Sequence, residues 1–76
     1  MVASTVVRFF RSRIGKSFRA NDLLRYCLVL HPEIAPDSPT RIMRDLRGAG
    51  MIDYTILSRQ ESRYLVLYVE PGRLFA

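Results

Sequence analysis

Apolar residues recur at helical spacing from the start of the chain. Val6, Val7, Phe10 and Ile14 fall on one side, with Arg8, Arg11 and Ser12 on the other, as an amphipathic helix requires. Ser4 is the expected N-cap and Gly15 the expected stop. The "KSF" that follows is too brief for a helix and is predicted to be a small strand carrying Phe18 into the core. A second helix is expected from about Asn21 and Asp22, whose short polar side chains suit the positive end of a helix. Its buried face is predicted to be Leu23, Leu24, Cys27, Leu28 and Leu30. His31-Pro32 closes it, because the residue before proline is pushed away from helical backbone. His31 is expected as a helix-end residue favoured by the dipole.

"PEIAPDSP" carries three prolines in eight residues and reads as a turn anchored by Ile34. Ser38 is then the expected N-cap and Pro39 the first helical residue, where a missing backbone N–H costs nothing. The third helix runs to about Arg47, with Pro39, Ile42, Met43 and Leu46 facing inward. After "GAG" come two alternating runs, "MIDYTIL" and "YLVLYV", separated by the polar "SRQESR". Together they predict a hairpin whose inner face is Ile52, Tyr54, Ile56, Tyr64, Val66 and Tyr68. The tail "EPGRLFA" is broken by Pro-Gly and is left unassigned, with Leu74 and Phe75 as candidates to fold back.

Length bounds what these elements can build. At 76 residues there is room for one domain, with its core over about residues 4–69 and a tail over 70–76. A domain of this size buries only about 60% of the surface its unfolded chain exposes. A hydrophobic fraction of 49% beside 25% charged residues fits a folded, soluble chain. No run approaches the length of a membrane span, and arginines interrupt the apolar N-terminal stretch, so a cytoplasmic protein without a membrane partner is expected.

Chemistry is excluded more readily than assigned. Cys27 is the only cysteine and His31 the only histidine, which leaves no disulfide and no four-ligand zinc site. No nucleophile, base and orienting residue assemble into a catalytic motif, and no glycine-rich phosphate loop lies between a strand and a helix. An enzyme, a cofactor, a metal and a small-molecule ligand are therefore not expected. Charge points elsewhere. Twelve basic residues, eleven of them arginine, outweigh seven acidic ones and leave +5. Arginine's planar fork pairs with phosphate and with guanine through two parallel hydrogen bonds, so nucleic acid is the leading partner.

The order helix, short strand, helix, turn, helix, strand, basic loop, strand resembles that of the winged helix-turn-helix domains. The resemblance rests on "SPTRIMRDLR" followed by "GMIDY", a capped helix with an arginine-bearing outer face that exits through glycine into a strand. "FRANDLLRYC" resembles the link into the second helix of such domains. It implies an α+β fold with three helices, a short first strand and a C-terminal hairpin, and a function in sequence-specific binding of double-stranded DNA. In that family the third helix enters the major groove while the hairpin loop touches phosphates or the minor groove. Carried onto this chain, the outward positions of the third helix are Thr40, Arg41, Arg44, Arg47 and Gly48. Arg41 and Arg44 are the candidates for base edges, and Thr40 for a phosphate. Arg59 and Arg63 flank the loop as phosphate contacts, with Gln60 and Ser62 as polar helpers and Lys16 and Arg19 as further backbone contacts.

Two acidic residues depart from a purely basic surface. Asp45 lies four residues after Arg41 and is expected to orient it through an i,i+4 pair. Glu61 at the loop tip argues against deep insertion into the minor groove. The plain alternative for all these arginines is a solvated face with exposed ion pairs, each worth little. The hairpin is also apolar on its second face, at Met51, Leu57, Leu65, Leu67 and Val69, where a one-sided sheet would be polar. Such a patch often marks an interface, and the first helix, Leu74 and Phe75, or a second subunit are the candidates to cover it; a homodimer is expected. The rival reading is a protein-interaction or assembly module that works through this apolar face.

Overall fold

The computed structural model describes residues 2–71. Three helices, α1 (Val2–Arg11), α2 (Ala20–Leu30) and α3 (Ser38–Gly48), join a three-stranded antiparallel sheet of β1 (Ser17–Arg19), β2 (Ile52–Ser58) and β3 (Arg63–Val69). The sheet order is β1-β3-β2, so the shortest strand flanks the hairpin on its β3 side. The result is a small α+β domain, as the hydrophobic patterning implied. Leu74 and Phe75 lie outside the described residues.

The first helix differs from expectation at both ends. Ser4 lies inside α1. Its last turn closes at Arg11, where the Ser12 hydroxyl donates to the Phe9 carbonyl at 2.8 Å. Gly15, with φ 80°, instead turns the chain toward β1, and its N–H reaches the Val66 carbonyl at 2.9 Å. Ile14 is thereby carried off the helix and is 52% exposed. Phe9 is fully buried in the core beside Val6, Val7 and Phe10. A helix that contacts α2, α3 and β3 needs a broader apolar face than one stripe supplies.

Asp22, in the first turn of α2, ties down the start of that helix. Its Oδ2 accepts the backbone N–H of Arg19, the residue before the helix, at 3.0 Å, the reach-back half of a capping box. That hydrogen bond, then one from Arg25 at 2.9 Å, holds the Asp22 carboxyl below the ordinary carboxylate range. Leu23 and Cys27 are buried and Leu24 is half-buried, but Leu28 and Leu30 are exposed. Tyr26, three residues after Leu23, fills the space against α1 with its ring centroid 5.3 Å from Phe9. Burial raises the Cys27 thiol pKa. His31 ends the helix as expected, with its N–H on the Cys27 carbonyl and its ring Nε2 2.9 Å from the Thr5 hydroxyl.

The N-cap of α3 is Asp37, one residue before the expected Ser38, which is itself buried in the first turn. Pro39, Met43 and Leu46 are buried and Ile42 is partly so, as predicted. At the far end Gly50 adopts φ 78°, and the Met51 N–H takes the Leu46 carbonyl at 3.0 Å. Positive φ there bends the chain straight from the helix into β2.

Two irregularities interrupt the hairpin register, between Asp53 and Tyr54 and between Ile56 and Ser58. The first opposes one β2 step to two on β3, so that Ile52 pairs with Val69 and Tyr54 with Val66. Each bulge shifts the side-chain phase. Val69 is therefore in the core at 8% exposure, whereas Tyr68, expected inside, is 46% exposed. Ile56, also expected inside, is exposed. Phe18 plugs the centre, with ring centroids 5.0 Å from Phe9, 5.2 Å from Phe10 and 5.5 Å from Tyr64. Tyr54 joins the cluster 5.5 Å from Tyr64.

Candidate nucleic-acid interface

The inward stripe of α3 fixes what its other side presents. With Pro39, Met43 and Leu46 held in the core, Arg41, Arg44 and Arg47 are all exposed. Their surroundings differ. Arg41 Nη1 lies 3.8 Å from Asp37 Oδ2, and its Nη2 donates to the Ser38 hydroxyl at 3.3 Å. The expected pairing with Asp45 is not formed. Helical side chains lean toward the N-terminus, so an arginine reaches an acid one turn before it more readily than one turn after. The Arg44 guanidinium has no hydrogen-bond or ion-pair partner among the described residues, and the residue is exposed.

Arg47 is anchored instead of free. Its Nε donates to Asp53 Oδ1 at 3.2 Å, and its guanidinium carbon stands 4.7 Å from the centroid of the Tyr54 ring. These contacts hold it beside β2. There it shares a shallow cleft with Thr55, Ile56, Leu57 and Arg59, so a cation of the helix and a cation of the hairpin loop line one depression. Thr40, half-buried, donates its hydroxyl to the Asp37 carbonyl at 3.1 Å. That bond is local to the helix start.

The loop between β2 and β3 is pinned at both ends. The Glu61 N–H donates to the Ser58 hydroxyl at 3.1 Å, and the Ser62 N–H to the Arg59 carbonyl at 3.2 Å. Ser62 has φ 51°, and its carbonyl accepts the N–H of Ala20, the first residue of α2, at 2.9 Å. The loop's cations are thereby divided. Arg59 is exposed on the α3 side, and its guanidinium has no hydrogen-bond or ion-pair partner among the described residues. Arg63 Nη2 lies 3.0 Å from Glu61 Oε1, and Arg19 Nη2 lies 3.7 Å from the same oxygen. Lys16, just before β1, is exposed, and its ammonium group has no hydrogen-bond or ion-pair partner among the described residues.

The predicted apolar interface is smaller than the sequence suggested. Val69 belongs to the core and Met51 is half-buried against it. Leu65, paired with Ser17 on one side and Thr55 on the other, is half-buried too. Leu57 and Leu67 remain exposed, at 50% and 49%, and Ile56 and Tyr68 join them at the surface. A second apolar patch, Leu28, Val29 and Leu30 at the end of α2, was not anticipated. The bridging role of Glu61 was also missed. Its proximity to Arg63 in sequence was visible, but its reach to Arg19 depends on strand register.

Among the described residues, no group of three or more His, Cys, Asp or Glu side chains could hold a metal ion, and no helix is long and apolar enough to cross a membrane. No known protein family, curated protein or solved structure matches the chain.

Proposed function

We propose that this chain is a winged helix domain that binds double-stranded DNA, with α3 in the major groove and the 59–62 loop against the phosphate backbone. The observation that carries the reading is the row of exposed arginines on α3 that ends in a cleft shared with the hairpin loop. Arg41, Arg44 and Arg47 follow one another along α3, and Arg47 shares its cleft with Arg59 of the loop. The element order and the β1-β3-β2 sheet are compatible with a winged helix. Arg44, free of internal partners, is the leading base reader, with Arg41 one turn nearer the helix start. Arg59 and Lys16 are the free backbone contacts. The module acts in transcriptional regulation or another DNA transaction, as a homodimer, without catalysis.

Selection of bound duplexes from a random pool tests this reading. A preferred site should emerge and should disappear when Arg41 and Arg44 are both replaced by alanine. Each bidentate arginine-to-guanine contact contributes about 1–3 kcal/mol of discrimination. Arg59→Ala should weaken all duplexes alike. A pool that returns no bound duplex at ~50 mM salt, where phosphate contacts count most, sinks the reading. The exposed Leu57, Leu67, Ile56 and Tyr68 favour one second reading, a protein-interaction module working through the hairpin. A chain that binds no duplex but self-associates through these residues would support it.

A further inference from the structure

We propose that Arg19 and Arg63 form a second phosphate-binding site at the base of the hairpin loop, and that Glu61 holds it shut. The inference rests on the DNA-binding reading and refines which of the loop's cations act in it. Arg19 and Arg63 are directly opposite one another in the antiparallel pairing of β1 with β3. Like charges in that position repel. A single oxygen, Glu61 Oε1, reaches both guanidinium groups, at 3.0 Å and 3.7 Å. It occupies the position a phosphate oxygen would take between two arginine forks.

Glu61 does not reach this position by a free side chain alone. The bonds from Glu61 N–H to Ser58 and from Ala20 N–H to Ser62, with the positive φ of Ser62, hold the loop backbone over the pair. All three charged side chains remain between 40% and 57% exposed, so a polyanion can approach them. With the carboxylate in place the cluster carries a net +1 instead of +2, and its phosphate seat is filled. Arg59, on the α3 side, has no such screen. The loop therefore presents one open cation to DNA while its Glu61 keeps two cations of β1 and β3 in reserve, which limits sequence-independent affinity and leaves discrimination to α3.

The test is the salt dependence of binding to a duplex of random sequence, for the wild-type chain, Glu61→Gln, Arg63→Ala and the triple variant Glu61→Gln/Arg19→Ala/Arg63→Ala. Each additional phosphate neutralised steepens the slope of log K against log salt by about 0.9. Glu61→Gln should bind more tightly at low salt, with a slope steeper by about one to two units, and the triple variant should return to the wild-type slope. Arg63→Ala alone should leave the wild-type slope unchanged. Because the replaced groups are exposed, thermal melts of the four proteins check that each is folded. If wild-type and Glu61→Gln bind with equal slopes, or if Arg63→Ala alone flattens the wild-type slope by about one, the site is not held shut and the inference fails while the DNA reading stands. If no variant binds duplex, both fail.

Discussion

Arg44 and Arg47 are three residues apart on one helix and do different things. Arg47 is fixed by Asp53 and by the face of Tyr54, which orients it along the cleft, whereas the Arg44 side chain makes no hydrogen bond or ion pair with the described residues. Arg44→Ala should therefore leave the melting temperature within a few degrees of wild type, as surface changes usually do, while lowering site preference by about fivefold or more. A folded variant with unchanged site preference would contradict that assignment. Phe18 is the opposite case. It touches Phe9, Phe10 and Tyr64 from the shortest strand, and Phe18→Ala should cost about 3–5 kcal/mol in denaturant unfolding. Residue by residue, the outward arginines of α3 were readable because its inward stripe was clean. Val69 and Tyr68 were not, since one bulge exchanges their faces and leaves no mark in an alternating run.

At the scale of elements, the ends carry most of what periodicity cannot show. Asp22 caps α2 through the Arg19 N–H, and this bond depresses its carboxyl pKa. The unfolded chain then binds the Asp22 proton more readily than the folded one does. Its contribution to stability is complete above the unfolded carboxylate value and is lost as pH falls through the lower folded value, in the region below about pH 4. Asp22→Asn should remove that part of the acid dependence and lower neutral-pH stability by less than about 1 kcal/mol, as measured by urea unfolding across pH. Gly50 joins α3 to β2 with φ 78° and has open space around a Cβ. Gly50→Ala should cost about 1 kcal/mol or more through backbone strain alone. Every predicted helix and strand is present within a few residues. The shifts at α1 and α3 arise from the Ser12 hydroxyl closing one helix early and from Asp37 opening the other.

For the whole molecule, small size and positive charge set the terms. At about 0.05–0.15 kcal/mol per residue, a chain of 76 residues has little stability to lose, and a change such as Phe18→Ala removes a large part of it. The outward Leu57 and Leu67 are what the proposed homodimer would cover. Leu57→Lys/Leu67→Lys should convert a dimer to a folded monomer in sedimentation equilibrium, and a wild-type chain that is monomeric at all concentrations would remove the dimer from the account. The arginines running from α3 to the loop are the proposed DNA surface. Its most direct test is a titration of random-sequence duplex by the wild-type chain, followed by anisotropy over a series of salt concentrations. Binding at low salt with a log–log slope of roughly −3 is predicted, from three to four neutralised phosphates. A flat slope, or no binding at ~50 mM salt, would contradict it.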